Sequence, residues 1–510
     1  MFLLLLSFST LSQEMFKVEL KDSVSLEPLS FATVRFEETS RGLIADYNGQ
    51  FSLPKKIVDT ISNLIITSIG YKTLTIKTNS LKADKLNVFK MQAQVEQLEA
   101  VILRTIKRSK LDVIEYEKKL KLSAYSIVKR AVDAIKYNLD DKPHSTIGYY
   151  RDYQITDQGE YYNLNEGIVE QFDGGIKTNR FNSSSNKAAF YFFERNDDFE
   201  IDPFMSREYN QHDKYIKGAE LFSYGGNELM LLNAHNPIRL YSLKSFSFIY
   251  RMTVEFFENH SFSKGNINFL DDEPIINIAI EINEDSEIPP KYSLKGVMKI
   301  SLKDFSIFGF EYSVYDSKKS EPAFEVSIEY QKIDGKMYMN YMTFNNRFKM
   351  KDKNVFRETG LEYDPQDNSM IIEFNKGVDK SSIKNNRIKI SFEDNNVDID
   401  KIKFVDNRTV KLLLDERSVN SNLIARKGGD KFNLDIKRIR DVNGRKIYKV
   451  DKKTVYQFRE YFVQEVFKDR KPSPDLIFIN QLSPISKSIV NDAFEIDGYI
   501  LNTPLMNRKL

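Results

Sequence analysis

Apolar and polar residues alternate along much of the chain, which is the pattern of β-strands with one buried face. Near the N-terminus, Val18 and Leu20 alternate with polar residues, and residues 32–36 repeat the pattern. Residues 64–69 form a nearly continuous apolar run, which is typical of a strand buried on both sides. Residues 46–49 have turn chemistry, because Asp and Asn bond nearby backbone and glycine accepts positive φ. Together these features predict a small antiparallel β-sandwich of about seven strands.

The same stretch carries a motif order that resembles a known family. The motif consists of residues 26–29, residues 32–34, Gly42 with residues 46–51, and residues 68–71. In this order they resemble the carboxypeptidase-regulatory-like domain, a transthyretin-like sandwich common in outer-membrane and cell-surface proteins of diderm bacteria. The resemblance extends over residues 13–103, where residues 98–103 resemble the short strand that follows such domains. It implies an accessory module that does not hydrolyse peptides itself.

The first residues of the chain have the pattern of an export signal. Phe2 begins a run of five large apolar residues, and small residues near Ser12 suit cleavage by a signal peptidase. We therefore expect residues 1–12 to be a signal peptide. Elsewhere no run approaches the roughly 20 apolar residues of a membrane helix, so we expect no transmembrane helix apart from this leader.

Composition narrows the class of protein. Apolar residues make up 41% and charged residues 29% of the 510 residues, which favours several folded globular domains over a disordered chain. The formal net charge of +2 gives no field that would attract nucleic acid. Cysteine is absent, which excludes disulfides, thiolate metal sites, cysteine nucleophiles and a lipoprotein anchor.

The middle of the chain predicts a helix followed by a large antiparallel sheet over residues 123–355. Residues 104–122 are expected to be a basic linker, and Ser123 is expected to cap the helix. Apolar residues recur there at helical spacing: Ile127, Val128, Ala131, Val132, Ile135 and Leu139. Alternation predicts long strands at residues 147–153, 276–282, 292–302, 307–315 and 324–330. The hairpin pattern around residues 296–307 resembles the strands of lipoprotein-carrier half-barrels, in which a curved sheet wraps a helix or a lipid.

The C-terminal third predicts a further sandwich and a tail. Strands fit residues 370–375, 388–392, 402–405, 410–414 and 432–439, with a last turn at residues 441–444. With the dipeptides at residues 364–365, 374–375 and 378–379, this region of 361–450 resembles the bacterial Ig-like domain. Such domains are spacers or docking surfaces. Residues 451–510 are expected to be a C-terminal tail, in which residues 455–467 carry alternating aromatic and charged side chains and the remainder has no assigned structure.

Candidate chemistry is sparse. None of His144, His212, His235 and His260 has a Glu three residues on, so no zinc pair of a carboxypeptidase is expected. No P-loop, nucleophile elbow or dinucleotide-binding glycine motif occurs. The acidic stretches at residues 271–273 and 393–400 lack the register of a calcium loop and suit solvated turns. We expect no catalytic residues, no cofactor-binding residues and no metal site.

The aromatic residues allow three interpretations, two in which they bind a ligand and one in which they form a core. Clustered tyrosines could stack on sugar rings, namely Tyr149, Tyr150, Tyr153, Tyr161 and Tyr162. Tyr191, Phe192 and Phe193 could line a lipid groove. Because strands favour aromatic residues, a sheet core is the preferred interpretation.

The sequence names neither a ligand nor a reaction. The preferred hypothesis is a mainly β, non-catalytic protein that acts as a binding or scaffold module in the periplasm, outer membrane or cell surface of a diderm bacterium. One alternative is a carrier of a lipid or other hydrophobic ligand in the central sheet, and another is a cell-envelope hydrolase. The expected partners are an envelope or outer-membrane protein, a lipid or a glycan, and not nucleic acid.

Overall fold

The structure is a computed structural model that describes most of the chain. It describes residues 14–39, 41–83, 85–96, 118–157, 159–181, 183–197, 199–203, 205–206, 214–215, 227–244, 248–249, 251–270, 273–316, 322–351, 355–428, 431–450, 452–492 and 498–503. The predicted leader at residues 1–12 and the predicted strand at residues 98–103 lie outside these ranges.

Strands dominate the described chain. The strands of the first half are β1 Met15–Asp22, β2 Thr33–Phe36, β3 Gly42–Ile44, β4 Gln50–Pro54, β5 Asn63–Thr67, β6 Leu74–Lys77, β7 Asn87–Met91, β8 Val95–Glu96, β9 His144–Thr156, β10 Tyr161–Asp173, β11 Ala188–Arg195, β12 Lys214–Tyr215 and β13 His260–Leu270. Those of the second half are β14 Glu273–Ile282, β15 Tyr292–Ser301, β16 Ile307–Asp316, β17 Pro322–Ile333, β18 Lys336–Lys351, β19 Glu358–Asp364, β20 Ser369–Phe374, β21 Ile388–Phe392, β22 Asn395–Val397, β23 Ile399–Phe404, β24 Thr409–Leu414, β25 Phe432–Ile436 and β26 Lys452–Lys468. The helices are α1 Lys55–Thr60, α2 Ala124–Asn138, α3 Glu228–Ala234, α4 Glu255–Asn259 and α5 Ser421–Lys427.

The chain divides into two compact units. One contains Met1–Phe348 with Thr454–Leu510, and the other contains Lys349–Lys453. Mainly β architecture with a large antiparallel sheet and several smaller sheets confirms the predicted fold class.

The N-terminal part of the first unit is a two-sheet sandwich of seven strands. One sheet has the order β4-β1-β7 and the other β3-β2-β5-β6. Val18, Leu20 and Phe51 from the first sheet and Leu64 and Ile66 from the second fill the core between them. The sandwich therefore matches the predicted architecture in strand number and layering.

Two details of the sandwich differ from the prediction. The sheet is not wholly antiparallel, since β1 and β7 pair in parallel. Strand β5 is not buried on both sides either, because its burial alternates and Ile65 is only half-buried. A two-layer sandwich buries only one face of each sheet, so the apolar run at residues 64–69 overstated the burial of this strand.

The large sheet of the first unit has ten long strands. Its order is β11-β10-β9-β26-β18-β17-β16-β15-β14-β13-β8, and β12 pairs with β18 beside this path. In the described chain β11 and β8 stand at opposite ends of the order, so the sheet is not closed. The segments predicted as strands at residues 147–153, 276–282, 292–302, 307–315 and 324–330 lie in β9, β14, β15, β16 and β17.

Helix α2 covers one face of this sheet. It begins where predicted, because the Ser123 hydroxyl accepts a hydrogen bond from the Ser126 backbone N–H at 3.1 Å. Its apolar stripe is buried in the main core, together with strands β13 and β15: Ile127, Val128, Ala131, Val132 and Ile135. The helix and its cap were thus predicted correctly from the local pattern.

The expected tail at residues 451–510 is wrong for its first part. Strand β26 lies in the centre of the large sheet, between β9 and β18, and pairs with β9 in antiparallel register. Its 17 residues include charged side chains such as Arg459 and Glu460, which are buried. The alternation at residues 455–467 is compatible with a strand, but burial of its charges and pairing with a partner about 300 residues away cannot be read from the local sequence.

The last described residues connect the sandwich to the large sheet within the same unit. Ile500 belongs to the core of the sandwich, and its backbone N–H and C=O bond to the Gln464 side chain of β26 at 2.9 and 2.7 Å. Phe31 of the sandwich also stacks on Tyr341 of β18, with ring centroids 4.8 Å apart. Sandwich and sheet are therefore packed directly against each other.

The second unit is a separate two-sheet sandwich. Its sheets have the orders β19-β20-β24-β23 and β22-β21-β25. They share a core that includes Ile372, Phe374, Ile390, Val410 and Leu412. The resemblance of this region to the bacterial Ig-like domain stays a prediction.

Candidate functional site

A polar cleft lies at one end of the large sheet, where β9 and β18 begin and β10 and β17 end. The loop after β10 and the segment after α3 contribute to its walls, and its volume is about 60 Å³. Charged and amide side chains meet there: Asp140, His144, Gln171, Asp173, Arg180 and Arg239. The core beneath this end of the sheet is filled, so the surrounding fold holds these side chains in place.

Asp173 and Arg239 form a fixed ion pair in this cleft. The Arg239 Nε and Nη2 atoms donate to the two carboxylate oxygens of Asp173 at 2.7 and 2.9 Å. Nη2 also donates to the backbone oxygen of Gly175 at 2.9 Å. Burial alone would raise the pKa of Asp173, but the hydrogen bonds and charge of Arg239 hold it well below its usual range. Asp173 is therefore ionised, and Arg239 neutralises its charge.

Arg180 is held differently. Its Nη1 donates to the backbone oxygen of Phe172 at 2.9 Å, and its Nη2 donates to Gln171 Oε1 at 3.1 Å. Among the residues that the structure describes, no carboxylate forms an ion pair with it. Burial lowers the pKa of Arg180, and the nearby Asp173 carboxylate offsets this only in part. A cation with two neutral partners therefore borders the cleft.

Gln171 links the neutral groups of the cleft. It is 4% exposed, and its Oε1 accepts from both Arg180 and Asn233, the latter at 2.8 Å. Its Nε2 is buried and faces the Tyr461 hydroxyl. On the opposite wall, the Asn236 side chain bonds the Tyr330 hydroxyl and accepts from the Arg239 backbone N–H at 3.0 Å. The result is a set of amide, hydroxyl and guanidinium groups that can bind a polar molecule.

The histidine of the cleft contacts the backbone and a tyrosine ring. His144 Nδ1 lies 3.1 Å from the backbone oxygen of Lys142, and the ring packs edge-on against Tyr338. Asp140 accepts from the Tyr338 hydroxyl and from the Lys142 N–H. Asp173 is occupied by Arg239. The ring of His144 is thus oriented by a backbone carbonyl, and neither carboxylate hydrogen-bonds to it.

Two other histidines are buried in the core. His235 stacks on Phe344 with ring centroids 3.9 Å apart, and burial lowers its pKa to about 3. His260 Nε2 lies 2.7 Å from the Tyr312 hydroxyl, and burial lowers its pKa to about 4. His212 lies outside the described residues. Both described core histidines have hydrogen-bond partners within the fold, as isolated histidines usually do.

Burial of His235 predicts a loss of stability in mild acid. The unfolded chain takes up a proton below the ordinary pKa of 6.5, whereas the folded chain does not until about 3. Each pH unit in that window costs about 1 kcal/mol. His235→Phe keeps a ring against Phe344 but has no group that titrates. Between about pH 7 and about pH 5.5, we expect its free energy of unfolding to fall by about 1 kcal/mol less than that of the unchanged chain. Urea unfolding at the two pH values measures this, and an equal loss in both proteins would contradict it.

The aromatic candidates lie mostly in the core. Tyr149, Tyr150 and Tyr153 are buried, and the hydroxyls of Tyr149 and Tyr150 donate to Glu166 and Asp152 at 2.6 and 2.8 Å. They therefore cannot serve as an open platform for sugar rings. Phe192 and Phe193 are only half-buried on the edge strand β11.

The acidic stretches show no metal-binding arrangement in the described chain. Glu393 lies in the hairpin turn after β21 and pairs with Lys427 and Lys431. Residues 271–272 lie outside the described ranges. Within those ranges, no three His, Asp or Glu side chains are placed to hold a metal ion. Among the described helices, none combines the length and the apolar character needed to cross a membrane.

Sequence reasoning missed the cleft residues other than His144. Gln171, Arg180 and Arg239 belong to three segments without a motif, and only the fold brings them to one place. A single arginine outside any motif looks like a solvated residue in a sequence. No local signal could have singled them out.

Comparisons with known proteins cover two parts of the chain. Structural similarity is found to a LolA superfamily protein from Nitrosomonas europaea, at 9% identity over 44% of this chain and 86% of that chain, with a TM-score of 0.19. A DUF1329 family protein from Desulfovibrio piger matches at 10% identity over 44% of this chain and 85% of that one, also with a TM-score of 0.19. Likenesses this weak carry no conclusion about fold or function. A search among curated proteins finds no match.

The N-terminal sandwich has a family match. The family model of the CarboxypepD_reg-like domain matches residues 19–103. This range contains the turn at residues 46–49 and six strands from β2 to β7. Residues 19–103 therefore form a carboxypeptidase-regulatory-like domain.

Proposed function

We propose that the chain is a non-catalytic binding module of the bacterial cell envelope, and that the polar cleft of its large sheet is the binding site. The N-terminal regulatory-like domain and the leader-like residues 1–12 support an exported protein. The cleft supports binding because its polar groups converge on a rigid sheet end. The observation that carries the proposal is Arg180, a guanidinium that borders the cleft with no carboxylate partner among the described residues.

A hydrophobic carrier has less support. The face of the sheet that would hold a lipid is packed by helix α2 and by large side chains such as Phe310 and Phe324, which are fully buried. The described cleft is lined by charges and amides as well as by apolar side chains such as Leu139, Ile176 and Met337. A lipid tail that filled the cleft would cover these charges and amides without bonding to them, which is costly.

A hydrolase is supported by the presence of His144, Asp140 and Asp173 in one cleft. Their hydrogen bonds favour binding instead, since both carboxylates already have other donors. The two functions differ in what happens to the ligand, so one experiment can separate them.

The test is retention from a cell-envelope extract. The purified chain is mixed with the water-soluble and the lipid fractions of such an extract, separated by ultrafiltration, and the retained compounds are analysed by mass spectrometry. We expect a polar compound to be retained with its mass unchanged. Consumption of a compound would indicate a hydrolase, and retention of lipids alone would indicate a carrier; either result would overturn the proposal.

A further inference from the structure

We propose that the cleft binds its ligand through an anionic group, a carboxylate or a phosphate carried on a polar body. This rests on the proposed binding role of the cleft and adds the chemical class of the ligand. Arg180 is the residue that recognises the anion.

The charges of the cleft support an anion. Arg239 and Asp173 neutralise each other through two hydrogen bonds, and the Arg239 Nη1 makes none to any described residue. Asp140 is occupied by the Tyr338 hydroxyl and the Lys142 N–H. Arg180 has no carboxylate within ion-pair distance among the described residues, and the nearby Asp173, which pairs with Arg239, compensates its charge only in part. A half-buried cation whose charge is only partly compensated is costly, and a bound anion would supply further negative charge.

The donors of the cleft suit the geometry of such groups. The guanidinium of Arg180 uses Nη1 and Nη2 for two neutral acceptors and keeps further N–H groups, including Nε, for a ligand. Arginine pairs with carboxylate and phosphate through parallel hydrogen bonds, which a lysine does not reproduce.

The polar residues around Arg180 suit a ligand that carries further polar groups beside its anionic group. A second cavity of about 30 Å³ shares Arg180 and Asn233 with the cleft. Its other polar lining residues include Asn186, Asn227 and Gln481. Amide side chains of this kind bind hydroxyl groups, so acidic sugars and sugar phosphates fit the combined site better than a hydrocarbon chain.

The experiment measures binding of two probes by ligand-observed nuclear magnetic resonance. Inorganic phosphate represents a phosphate group, and glucuronate represents a carboxylate on a sugar. Each is titrated into the unchanged chain, Arg180→Gln and Arg387→Gln. Arg387 is a matched control, because it is also half-buried and its side chain bonds only to the backbone oxygens of Ser382 and Arg438 among the described residues.

We expect saturable binding of at least one probe, weakened at least tenfold in Arg180→Gln and unchanged in Arg387→Gln. Binding of phosphate alone or of glucuronate alone assigns the anionic group. Absence of binding of both probes, or equal binding by Arg180→Gln, would overturn the inference. If Arg180→Gln does not fold, Arg180→Lys takes its place with an expected loss of at least threefold, and an unchanged affinity overturns the inference. If the envelope extract yields a retained neutral compound, the proposed binding role stands and the proposed anionic ligand is wrong.

Discussion

Replacing Glu460 with Gln should lower the free energy of unfolding by about 3–5 kcal/mol, because it leaves a buried arginine without its counterion. Glu460 of β26 and Arg151 of β9 are 2% and 1% exposed and form a close ion pair. Arg151 Nη1 also donates to the backbone oxygen of Asn502 at 2.6 Å. Burial acts to lower the pKa of Arg151, but Glu460 and neighbouring tyrosines raise it well above its usual range. Without Glu460 the guanidinium would still stay charged, because arginine is not deprotonated in proteins.

A surface pair provides the control. Arg251 and Glu255 form an i,i+4 ion pair at 2.6 Å with partly exposed side chains. Glu255→Gln should cost no more than about 1 kcal/mol, since exposed pairs contribute little. Urea unfolding followed by tyrosine fluorescence compares the two variants. Equal costs for both would mean that the Arg151 charge is not isolated from solvent, and the central position of β26 would then be in doubt.

Gly49→Val should destabilise the N-terminal sandwich by about 3 kcal/mol, from backbone strain and steric overlap together. Gly49 has φ +69°, a conformation that costs other residues roughly 1–2 kcal/mol. A Cβ atom at this position would lie 2.6 Å from the backbone oxygen of Leu20 and 2.9 Å from the backbone nitrogen of Leu29. Both atoms belong to the backbone beside β1, so a side-chain rotation cannot relieve the overlap.

A substitution at Gly335 measures backbone strain without steric overlap. It has φ +80° in the turn between β17 and β18, and a Cβ atom there would meet no described atom within 4 Å apart from its neighbours in the chain. Gly335→Val should therefore cost only the strain, roughly 1–2 kcal/mol. Hydrogen exchange read by mass spectrometry on peptides from β1 and β4 reports the sandwich directly. Unchanged protection in Gly49→Val would show that the turn at residues 46–49 is not built as described.

Turns, helix caps and alternating strands could be predicted, because the residues that specify them are close in the sequence. The turn at residues 46–49 forms because Asp46 Oδ1 accepts from the N–H groups of Asn48 and Gln50, both at 2.8 Å. The start of α2 follows from Ser123, and β9 and β14 to β17 follow from alternation. Each of these signals lies within a few residues of the structure that it specifies.

Pairing across long distances was not predictable in the same way. Strand β26 is central because Arg459 and Glu460 find buried partners in Glu228 and Arg151, which local polarity cannot reveal. The parallel pairing of β1 with β7 is likewise a property of the folded sandwich. The cleft depends on the same long-range packing, since Arg180 and Arg239 meet Asp173 only after β10, its following loop and the segment after α3 have come together. The candidate site was therefore out of reach of motif analysis, whereas the fold class was not.

Native mass spectrometry of the chain isolated gently from its own envelope fraction tests the binding role most directly. We predict that the chain retains a polar small molecule, and that Arg180→Gln isolated in the same way loses it while Arg387→Gln does not. A bare chain in all three preparations, or a retained lipid that is indifferent to Arg180, would contradict the account.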